Sequence, residues 1–311
     1  MSYRQMAIHS TTPLSRFAER LYPLGYPVIL ETDDLQLASL VKTSWGGWPQ
    51  MVSGDPLRVS VQCGKETAPF GHGSVKFRAT PTGFRFDGAE SAIFDAPSMH
   101  LQIRATDGLS GHFLNTVMLT ALDYSLFSPI HAACVVRNGF GVVLSGDSGA
   151  GKSTLSYACA RRGWTLVCDD SLHLHPSGLT VGSLSSTIYL REPARALFPE
   201  LEQEHLGVAP NGKPAMTIVP AQRGLRTART APVERLLFLA RRPGPPRLSL
   251  LDLDDVTDYL FKCLWQPDAL THQRRLRELA QRTQAARFEY GDIEEAVDAL
   301  DELLKEEGVA A

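Results

Sequence analysis

The chain has 311 residues, 43% of them hydrophobic, which is enough for one large or two ordinary domains with a substantial buried core. Its formal net charge is −3 and its 31 basic residues are scattered, so a nucleic-acid partner is not expected. No apolar run approaches the roughly 18 to 20 residues that cross a bilayer, and residues 1–10 lack the apolar core of a secretory signal, so the sequence predicts a cytoplasmic protein with no membrane partner.

Residues 1–126 are predicted to form a smaller β-rich region that takes part in recognition of a substrate. Alternating apolar and polar residues between Gly, Pro and Asp predict strands at 26–31, 57–62, 74–79 and 99–105. A helix is expected at 34–44, because Leu37, Leu40 and Val41 recur at helical spacing. The segment 64–73 has no periodicity and is expected to be a loop. A second helix is predicted at 111–126, with one apolar face made by Leu114, Val117, Met118, Ala121 and Leu122.

Residues 127–311 change to strands that alternate with helices, which predicts an α/β domain. Apolar strands at 132–137 and 140–145 flank Asn138-Gly139, a strong signal for a two-residue hairpin. A helix is predicted at 152–162, ended by Gly163, and a strand at 164–168 follows it.

The remainder of the chain is harder to interpret. Short strands are predicted at 171–175 and 186–189, and a Pro- and Arg-rich connection at 193–232 is expected to be a lid, a substrate loop or a disordered segment. A strand at 235–240 follows. The tail is predicted to hold two helices around a strand at 286–290, the last helix beginning with a capping pattern, Asp292 and then Glu295.

A complete phosphate-binding pattern, G-x-x-x-x-G-K-[ST], lies between the strand at 140–145 and the helix at 152–162. Glycines let backbone amides wrap phosphates, the lysine reaches the β and γ phosphates, and the serine hydroxyl can ligate Mg²⁺. The sequence therefore predicts an ATP and Mg²⁺ site that also includes Thr154 and is made by Gly146, Asp147, Ser148, Gly149, Ala150, Gly151, Lys152 and Ser153.

Asp169 and Asp170 follow the predicted strand at 164–168 and are the expected partners of this loop. One carboxylate can hold Mg²⁺ while another accepts the proton of an attacking hydroxyl. Because successive strand side chains face opposite ways, the two share a site only if the strand ends there and the backbone turns. His131, which opens the hairpin, is expected near them. His173 and His175 are interpreted as ordinary strand residues rather than a metal pair.

The stretch from Ile130 to Asp170 resembles the catalytic domain of HPr kinase/phosphorylase and its wider bacterial relatives. The shared features are Ile130-His131, the loop at 146–153, Arg162-Gly163 and Asp169-Asp170, in this order and spacing. The resemblance implies a P-loop kinase core of the HPr kinase/phosphoenolpyruvate-carboxykinase type with a mixed sheet. It also implies that Asp169 is the general base for a serine hydroxyl, that Asp170 helps Ser153 to bind Mg²⁺, and that the chain forms homo-oligomers.

Two departures from that family narrow the expectation about the substrate. Thr154 stands where HPr kinases usually carry an acidic residue, and no glycine- and arginine-rich segment follows the aspartate pair. The chain looks more like HPr-kinase-like proteins that phosphorylate other acceptors, including a serine of a peptide natural product such as a lasso peptide.

The predicted function is therefore an ATP-dependent kinase acting on a hydroxyl of a peptide, protein or small metabolite. Arg191 and Lys213 are the basic residues expected to stabilise charge in the transition state. Two alternatives remain at this point: a nucleotide-switched interaction protein that has no acceptor, and a carboxykinase-like enzyme that uses phosphate or pyrophosphate.

Overall fold

The computed structural model describes residues 17–64, 76–105, 109–264 and 269–308. The chain divides into two compact units, Met1–Ala121 and Leu122–Ala311. The loop predicted at 64–73 falls outside the described residues apart from Gly64. Among the described residues, every helix is too short or too polar to pass through a bilayer.

The first unit is built on a seven-stranded sheet of order β1-β2-β3-β7-β6-β5-β4. Strands β2, β3 and β7 run parallel to one another, and the remaining pairs are antiparallel. Its strands are β1 Phe17–Leu21, β2 Val28–Thr32, β3 Leu57–Cys63, β4 Lys76–Thr80, β5 Gly83–Asp87, β6 Glu90–Asp95 and β7 His100–Ala105.

The predicted strands of this unit are confirmed to within two residues at each end, but β1, β5 and β6 were not predicted. In β3, Leu57, Val59 and Val61 are buried and alternate with more exposed residues, which is the pattern the sequence shows. Strand β4 differs in that each of its residues is exposed.

Both helices predicted in the first 126 residues are confirmed, as α1 Leu35–Trp45 and α2 Gly111–Ser125. The Asp34 carboxylate caps α1 by accepting hydrogen bonds from two backbone amides of its first turn, at 2.8 and 3.0 Å. Of the three apolar residues that predicted this helix, Leu37 and Val41 are buried and Leu40 is 47% exposed. The apolar face predicted for α2 is fully buried.

The second unit holds three further sheets and the remaining helices. The helices are α3 Lys152–Arg161, α4 Leu253–Phe261, α5 Leu270–Arg282 and α6 Ile293–Gly308. Its strands are β8 Ser128–His131, β9 Ala133–Arg137, β10 Phe140–Ser145, β11 Thr165–Cys168, β12 Ser171–Leu174, β13 Thr180–Gly182, β14 Ile188–Leu190, β15 Leu206–Val208, β16 Pro214–Ile218, β17 Thr230–Pro232, β18 Arg235–Arg241, β19 Arg247–Leu250 and β20 Gln284–Tyr290.

The six-stranded sheet of this unit has the order β11-β9-β10-β18-β20-β19 and is mixed. Strands β10, β18 and β20 are parallel neighbours, and the other pairs are antiparallel. A four-stranded sheet, β17-β13-β12-β8, and a three-stranded sheet, β14-β16-β15, complete the unit. The protein is therefore a mixed α/β structure, as its sequence predicts.

Helices cover both faces of the six-stranded sheet. Val142 and Leu144 of β10 belong to the same buried cluster as residues of α3 and α6, whereas Val143 belongs to a second cluster with residues of α4 and α5. Adjacent strand residues point to opposite faces, so β10 is buried on both sides and reads as a continuous apolar run. The carboxyl end of β10 is consequently held in position by the helices that pack on both faces of the sheet.

The hairpin predicted at Asn138-Gly139 is confirmed, with φ of 53° and 87° at the two residues. A two-residue hairpin of this type needs positive φ at both central positions, which Asn and Gly tolerate best. The strands predicted on either side of it are also confirmed, as β9 and β10.

Two predictions for the later part of the unit are wrong. The connection at 193–232 is not a plain loop, because it contains β15, β16, β17 and short 3₁₀ turns that begin at or beside prolines. The tail holds α4 and α5 before β20 as well as α6 after it, and strand β19 was missed. All residues of β19 are exposed, so it has no buried face, and it is only four residues long.

Candidate active site

The candidate site is built on the glycine-rich turn, Gly146–Gly151, that joins β10 to α3. Gly146 and Gly151 have φ of 141° and 99°. A Cβ at Gly146 would lie 2.9 Å from the Leu239 carbonyl oxygen, and one at Gly151 would lie 2.3 Å from the Tyr290 hydroxyl. Any larger residue at either position would therefore displace its neighbours or strain the backbone.

Helix α3 begins directly after the turn and presents its amino-terminal end there. Its N-cap is Gly151, which has no side chain to accept hydrogen bonds from the first-turn amides, and its first turn has no acidic residue. The exposed backbone donors and the helix dipole both favour an anion at this point.

The Lys152 side chain folds back over the turn and donates a hydrogen bond to the Gly146 carbonyl oxygen at 2.8 Å. Only 8% of the residue is exposed. Burial lowers the pKa of Lys152, and the negative charges of Asp170, Asp169 and Asp147 act against that shift. The ammonium group thus lies among carbonyl oxygens and carboxylates that an incoming phosphate would supplement or replace.

Asp169 lies just beyond the end of β11 and is buried, with 3% exposure. Its carboxylate accepts a hydrogen bond from the Tyr189 amide at 3.0 Å and others from the Ser153 and Ser156 side chains. Burial raises the pKa of Asp169 to about 6, although these hydrogen bonds favour the charged form. The structure thus joins Asp169 to the serine that ends the phosphate-binding pattern.

Asp170 differs from its neighbour because its side chain is 62% exposed. One of its carboxylate oxygens lies 3.2 Å from Nδ1 of His131, which is also exposed. The structure therefore places His131 beside the aspartate pair, where the sequence predicts it. The negative charge of Asp170 acts to raise the pKa of Lys152, so the two groups lie within electrostatic reach of each other.

Asp169 and Asp170 lie where the chain leaves the six-stranded sheet after β11 and enters the four-stranded sheet at β12. β11 pairs with β9 in the six-stranded sheet, whereas β12 pairs with β8 and β13 in the four-stranded sheet. The Ala132 amide donates a hydrogen bond to the Asp170 carbonyl oxygen at 3.1 Å and fixes the turn. Because the strand ends and the backbone turns here, the side chains of two adjacent aspartates can belong to one site.

The two basic residues singled out from the sequence have different surroundings. Arg191 follows β14, and its guanidinium donates a hydrogen bond to the Ser148 hydroxyl in the glycine-rich turn at 3.3 Å. Lys213 is exposed in the turn between β15 and β16, where its amide donates to the Asn211 side chain. In the described part of the chain, no hydrogen bond or ion pair joins the Lys213 side chain to the glycine-rich turn.

An open cavity of about 720 Å³ lies at the carboxyl ends of β18 and β20. It borders the glycine-rich turn, because the Tyr290 hydroxyl in its lining donates a hydrogen bond to the Ala150 carbonyl oxygen at 3.2 Å. The Arg241 guanidinium stacks 4.7 Å from the centre of the Tyr290 ring. The remaining lining includes Arg242, Pro243, Gly244, Pro245, Asp292 and Glu295.

Sequence reasoning missed a buried polar group next to the acids. His173 was interpreted as an ordinary strand residue, but its Nδ1 lies 2.8 Å from a carboxylate oxygen of Asp123, and its Nε2 lies 3.2 Å from the Ser171 hydroxyl. The spacing of Ser171 and His173 on one strand face was a usable signal, whereas nothing in the sequence pointed to Asp123. In the described ranges, no three His, Cys, Asp or Glu side chains form a metal-binding cluster.

No family model matches this sequence. No curated protein matches it either. Among solved structures, the chain is similar to the Hpr(Ser) kinase/phosphatase from Coxiella burnetii, with 17% sequence identity and a TM-score of 0.31 over 58% of this chain and 99% of that chain. The function proposed below rests on the side chains of the site and not on this similarity.

Proposed function

We propose that the chain is a kinase that binds ATP at residues 146–153 and transfers the γ-phosphoryl group to an alcohol hydroxyl. The observation that carries this proposal is that Lys152 donates a hydrogen bond to the glycine-rich turn, Ser153 is hydrogen-bonded to Asp169, and Asp170 lies within electrostatic reach of Lys152. Phosphoryl transfer is catalysed mainly by positioning and charge stabilisation, and these groups supply both.

The phosphates are held by the amides of the glycine-rich turn and by Lys152. The Lys152 ammonium already donates to a carbonyl oxygen of the turn, so it needs little movement to donate to a phosphate oxygen. Arg191 is tied to the same turn through Ser148 and supplies a second positive charge. Thr154 lies in the first turn of α3 and adds a backbone donor to the same end of the helix.

Ser153 and Asp169 fit a Mg²⁺ ion, because a hydroxyl and a carboxylate already joined by a hydrogen bond are the oxygen ligands that this ion prefers. When bound, the ion neutralises charge that develops on the phosphates. Within the chain itself, Asp169 is fixed by the Tyr189 amide, so its carboxylate keeps one orientation as ligands come and go.

Asp170 is the better candidate for the base that accepts the hydroxyl proton. Its carboxylate is exposed and can reach an acceptor, whereas Asp169 is buried and its oxygens are already hydrogen-bonded. His131 contacts Asp170 and can hold that carboxylate in position. This division of roles is the reverse of the one implied by the family resemblance, in which Asp169 is the base and Asp170 binds Mg²⁺.

The cavity beside Tyr290 offers a place for the nucleoside of ATP. It lies next to the glycine-rich turn, and its lining contains an aromatic ring, a stacked guanidinium and two carboxylates. The acceptor is a hydroxyl of a peptide, protein or small metabolite, with serine the leading candidate. The first unit is proposed to help recognise it.

The test combines radiolabelled ATP, Mg²⁺ and a panel of serine-containing peptides and metabolites, followed by mass spectrometry of the products. Lys152→Ala is expected to reduce transfer by about 10³-fold or more, because charge stabilisation of the phosphates is lost. Lys42→Ala is the matched control, since Lys42 is an exposed lysine of α1 whose ion-pair partner is Glu19. Its transfer rate should equal that of the unmodified chain.

Two results would defeat the kinase assignment. Equal transfer rates in the Lys152→Ala and Lys42→Ala variants would show that Lys152 and the glycine-rich turn take no part in the reaction. Tight, Mg²⁺-dependent nucleotide binding with no phosphorylated product from any acceptor would instead favour a nucleotide-switched interaction protein. Replacing ATP by pyrophosphate or phosphate in the same assay tests the carboxykinase-like alternative.

A further inference from the structure

Ser171, His173 and Asp123 form a hydrogen-bonded line that the kinase proposal does not use. The Ser171 hydroxyl lies 3.2 Å from His173 Nε2, and His173 Nδ1 lies 2.8 Å from the Asp123 carboxylate. His173 and Asp123 are buried, with 2% and 5% exposure, while Ser171 is exposed. The hydroxyl is therefore the accessible end of a buried acid–base pair.

The buried pair fixes the tautomer of the histidine. A carboxylate accepts hydrogen bonds, so Asp123 requires the hydrogen of neutral His173 to be on Nδ1. Nε2 is then left as an acceptor facing the Ser171 hydroxyl. A serine paired with a histidine that a carboxylate orients is the arrangement that activates a hydroxyl as a nucleophile.

Ser171 lies beside the proposed phosphate site. It directly follows Asp170 and is paired across the sheet with His131, the residue that contacts Asp170. Directly opposed residues of antiparallel strands share a face, with Cβ atoms about 4.5 to 5.5 Å apart. The activated hydroxyl is consequently on the same side of the sheet as His131 and next to the exposed acid.

We propose that the chain phosphorylates itself on Ser171, an activity that rests on the proposed kinase function. The Ser171 oxygen forms a bond to the γ-phosphorus of ATP while the bond between that phosphorus and the β,γ-bridging oxygen breaks, and ADP leaves. The hydroxyl proton passes to His173 Nε2. Asp123 is a positioning residue that orients the imidazole and stabilises its positive charge.

The added phosphate carries about two negative charges and lies beside Asp170. The negative charges of this phosphate and of Asp170 should together repel a second ATP molecule. Self-transfer should therefore stop after one phosphate has been added to each chain. An external acceptor hydroxyl needs the same region near Asp170 and His131. It should therefore compete with Ser171 for the γ-phosphoryl group.

The experiment incubates the full chain with Mg²⁺ and ATP, without an acceptor, and measures intact mass and peptide maps over time. One phosphate on Ser171 is the expected result, absent in Ser171→Ala and carried by the new hydroxyl in Ser171→Thr. Because Ser171 is exposed, both variants retain the fold. Ser60→Ala is the matched control, since Ser60 belongs to a serine–histidine pair with His100 in the first unit, and its self-transfer rate should be unchanged.

The acid–base pair is tested by His173→Gln and Asp123→Asn, each expected to slow self-transfer by about 10²-fold or more. The apparent KM for ATP should stay constant, which separates this role from a general loss of structure. Asp123→Glu should restore part of the rate because it returns a carboxylate to the histidine.

Nucleotide affinity is measured on the same samples with a fluorescent ATP analogue. Binding of nucleotide together with an unmodified Ser171, or with phosphate only on other residues, would overturn self-phosphorylation and leave the kinase proposal standing. Failure of the unmodified chain to bind nucleotide would overturn both. If Ser171 were phosphorylated at the same rate in all His173 and Asp123 variants, these two residues would have no part in the transfer step.

Discussion

The two units of the chain differ in what they bury. Among the described residues of the first unit, Thr32 is the single buried polar side chain, and its core includes contacting phenylalanine rings such as Phe84 and Phe94, 5.2 Å apart. In the part of the second unit that the structure describes, ten polar or charged side chains are buried, namely Asp123, Ser128, Lys152, Ser156, Asp169, His173, His175, Ser183, Thr257 and His272.

The described part of the first unit thus buries almost exclusively apolar side chains, whereas the second unit also buries ionisable ones. Burying a polar or charged group costs free energy unless partners compensate for the lost water. In the second unit, five of these ten side chains lie around the glycine-rich turn and His173, where hydrogen-bond partners are present, namely Lys152, Ser156, Asp169, His173 and Asp123. Buried ionisable groups are therefore a better guide to the candidate site than apolar packing is.

The largest effects on activity are expected when Asp169 and Asp170, two ionisable residues of the second unit, are replaced one at a time. Asp170→Asn should lower kcat by about 10²- to 10⁴-fold with little change in the KM for ATP, because it removes the proton acceptor. Asp169→Asn should instead raise the Mg²⁺ concentration needed for half-maximal rate. Steady-state kinetics across a Mg²⁺ titration would measure both.

These two variants control for each other, since they make the same chemical change at adjacent positions. If Asp170→Asn shifted the Mg²⁺ dependence and Asp169→Asn did not, the roles implied by the family resemblance would be correct. The assignment from burial and exposure would then be wrong.

A smaller effect is expected at the two basic residues chosen from the sequence. Arg191→Ala should reduce kcat by roughly 10- to 100-fold, because it removes a charge-assisted contact at the glycine-rich turn. Lys213→Ala is the matched comparison and should leave kcat unchanged if its turn stays away from the phosphates. Equal losses in both variants would indicate that the turn at 211–213 moves over the site when nucleotide binds.

The smallest expected effect is on how the free energy of unfolding depends on pH. Burial raises the Asp169 pKa from 3.8 to about 6, so the native state holds this proton more tightly than the unfolded chain does. The resulting stabilisation is complete below pH 3.8 and is lost as pH rises through 6. Asp169→Asn should consequently increase stability above pH 7, by about 2 kcal/mol relative to its effect at pH 4.

Urea unfolding without Mg²⁺, repeated from pH 4 to pH 8, measures this difference. Burial lowers the His175 pKa to about 4, which acts in the opposite direction over the same range, so only the difference between wild type and Asp169→Asn isolates Asp169. Thr32→Val is the control from the first unit, because a hydroxyl does not titrate there. A pH-independent effect of Asp169→Asn would contradict the raised pKa.

Features determined by neighbouring residues were predictable from the sequence. The strand, glycine-rich turn and helix at 140–162 form a local unit in which each residue type suits its backbone conformation, and β10 and α3 match their predicted ends closely. The Asn138-Gly139 hairpin is equally local. Arg191 was chosen for its position after a short strand, and it does contact the turn.

Features that depend on distant contacts were not predictable. Asp123 and His173 are 50 residues apart, and only the tertiary fold brings a helix residue to that strand. The fold of 193–232 depends on β16 pairing with both β14 and β15, which no local pattern specifies. Strand β19 was missed, and all of its residues are exposed, so its place in the sheet rests on pairing with β20 and not on a buried face.

The chain passes three times between the six-stranded and four-stranded sheets, and one of these crossings runs through Val233 and Glu234. The other two, through Ala132 and through Asp169 and Asp170, are tied to each other by a backbone hydrogen bond. Adding or removing one residue at either crossing would turn every side chain of an adjoining strand to the opposite face. Natural variation in chain length should therefore be absent at these crossings and accumulate in surface turns, such as the one at 211–213.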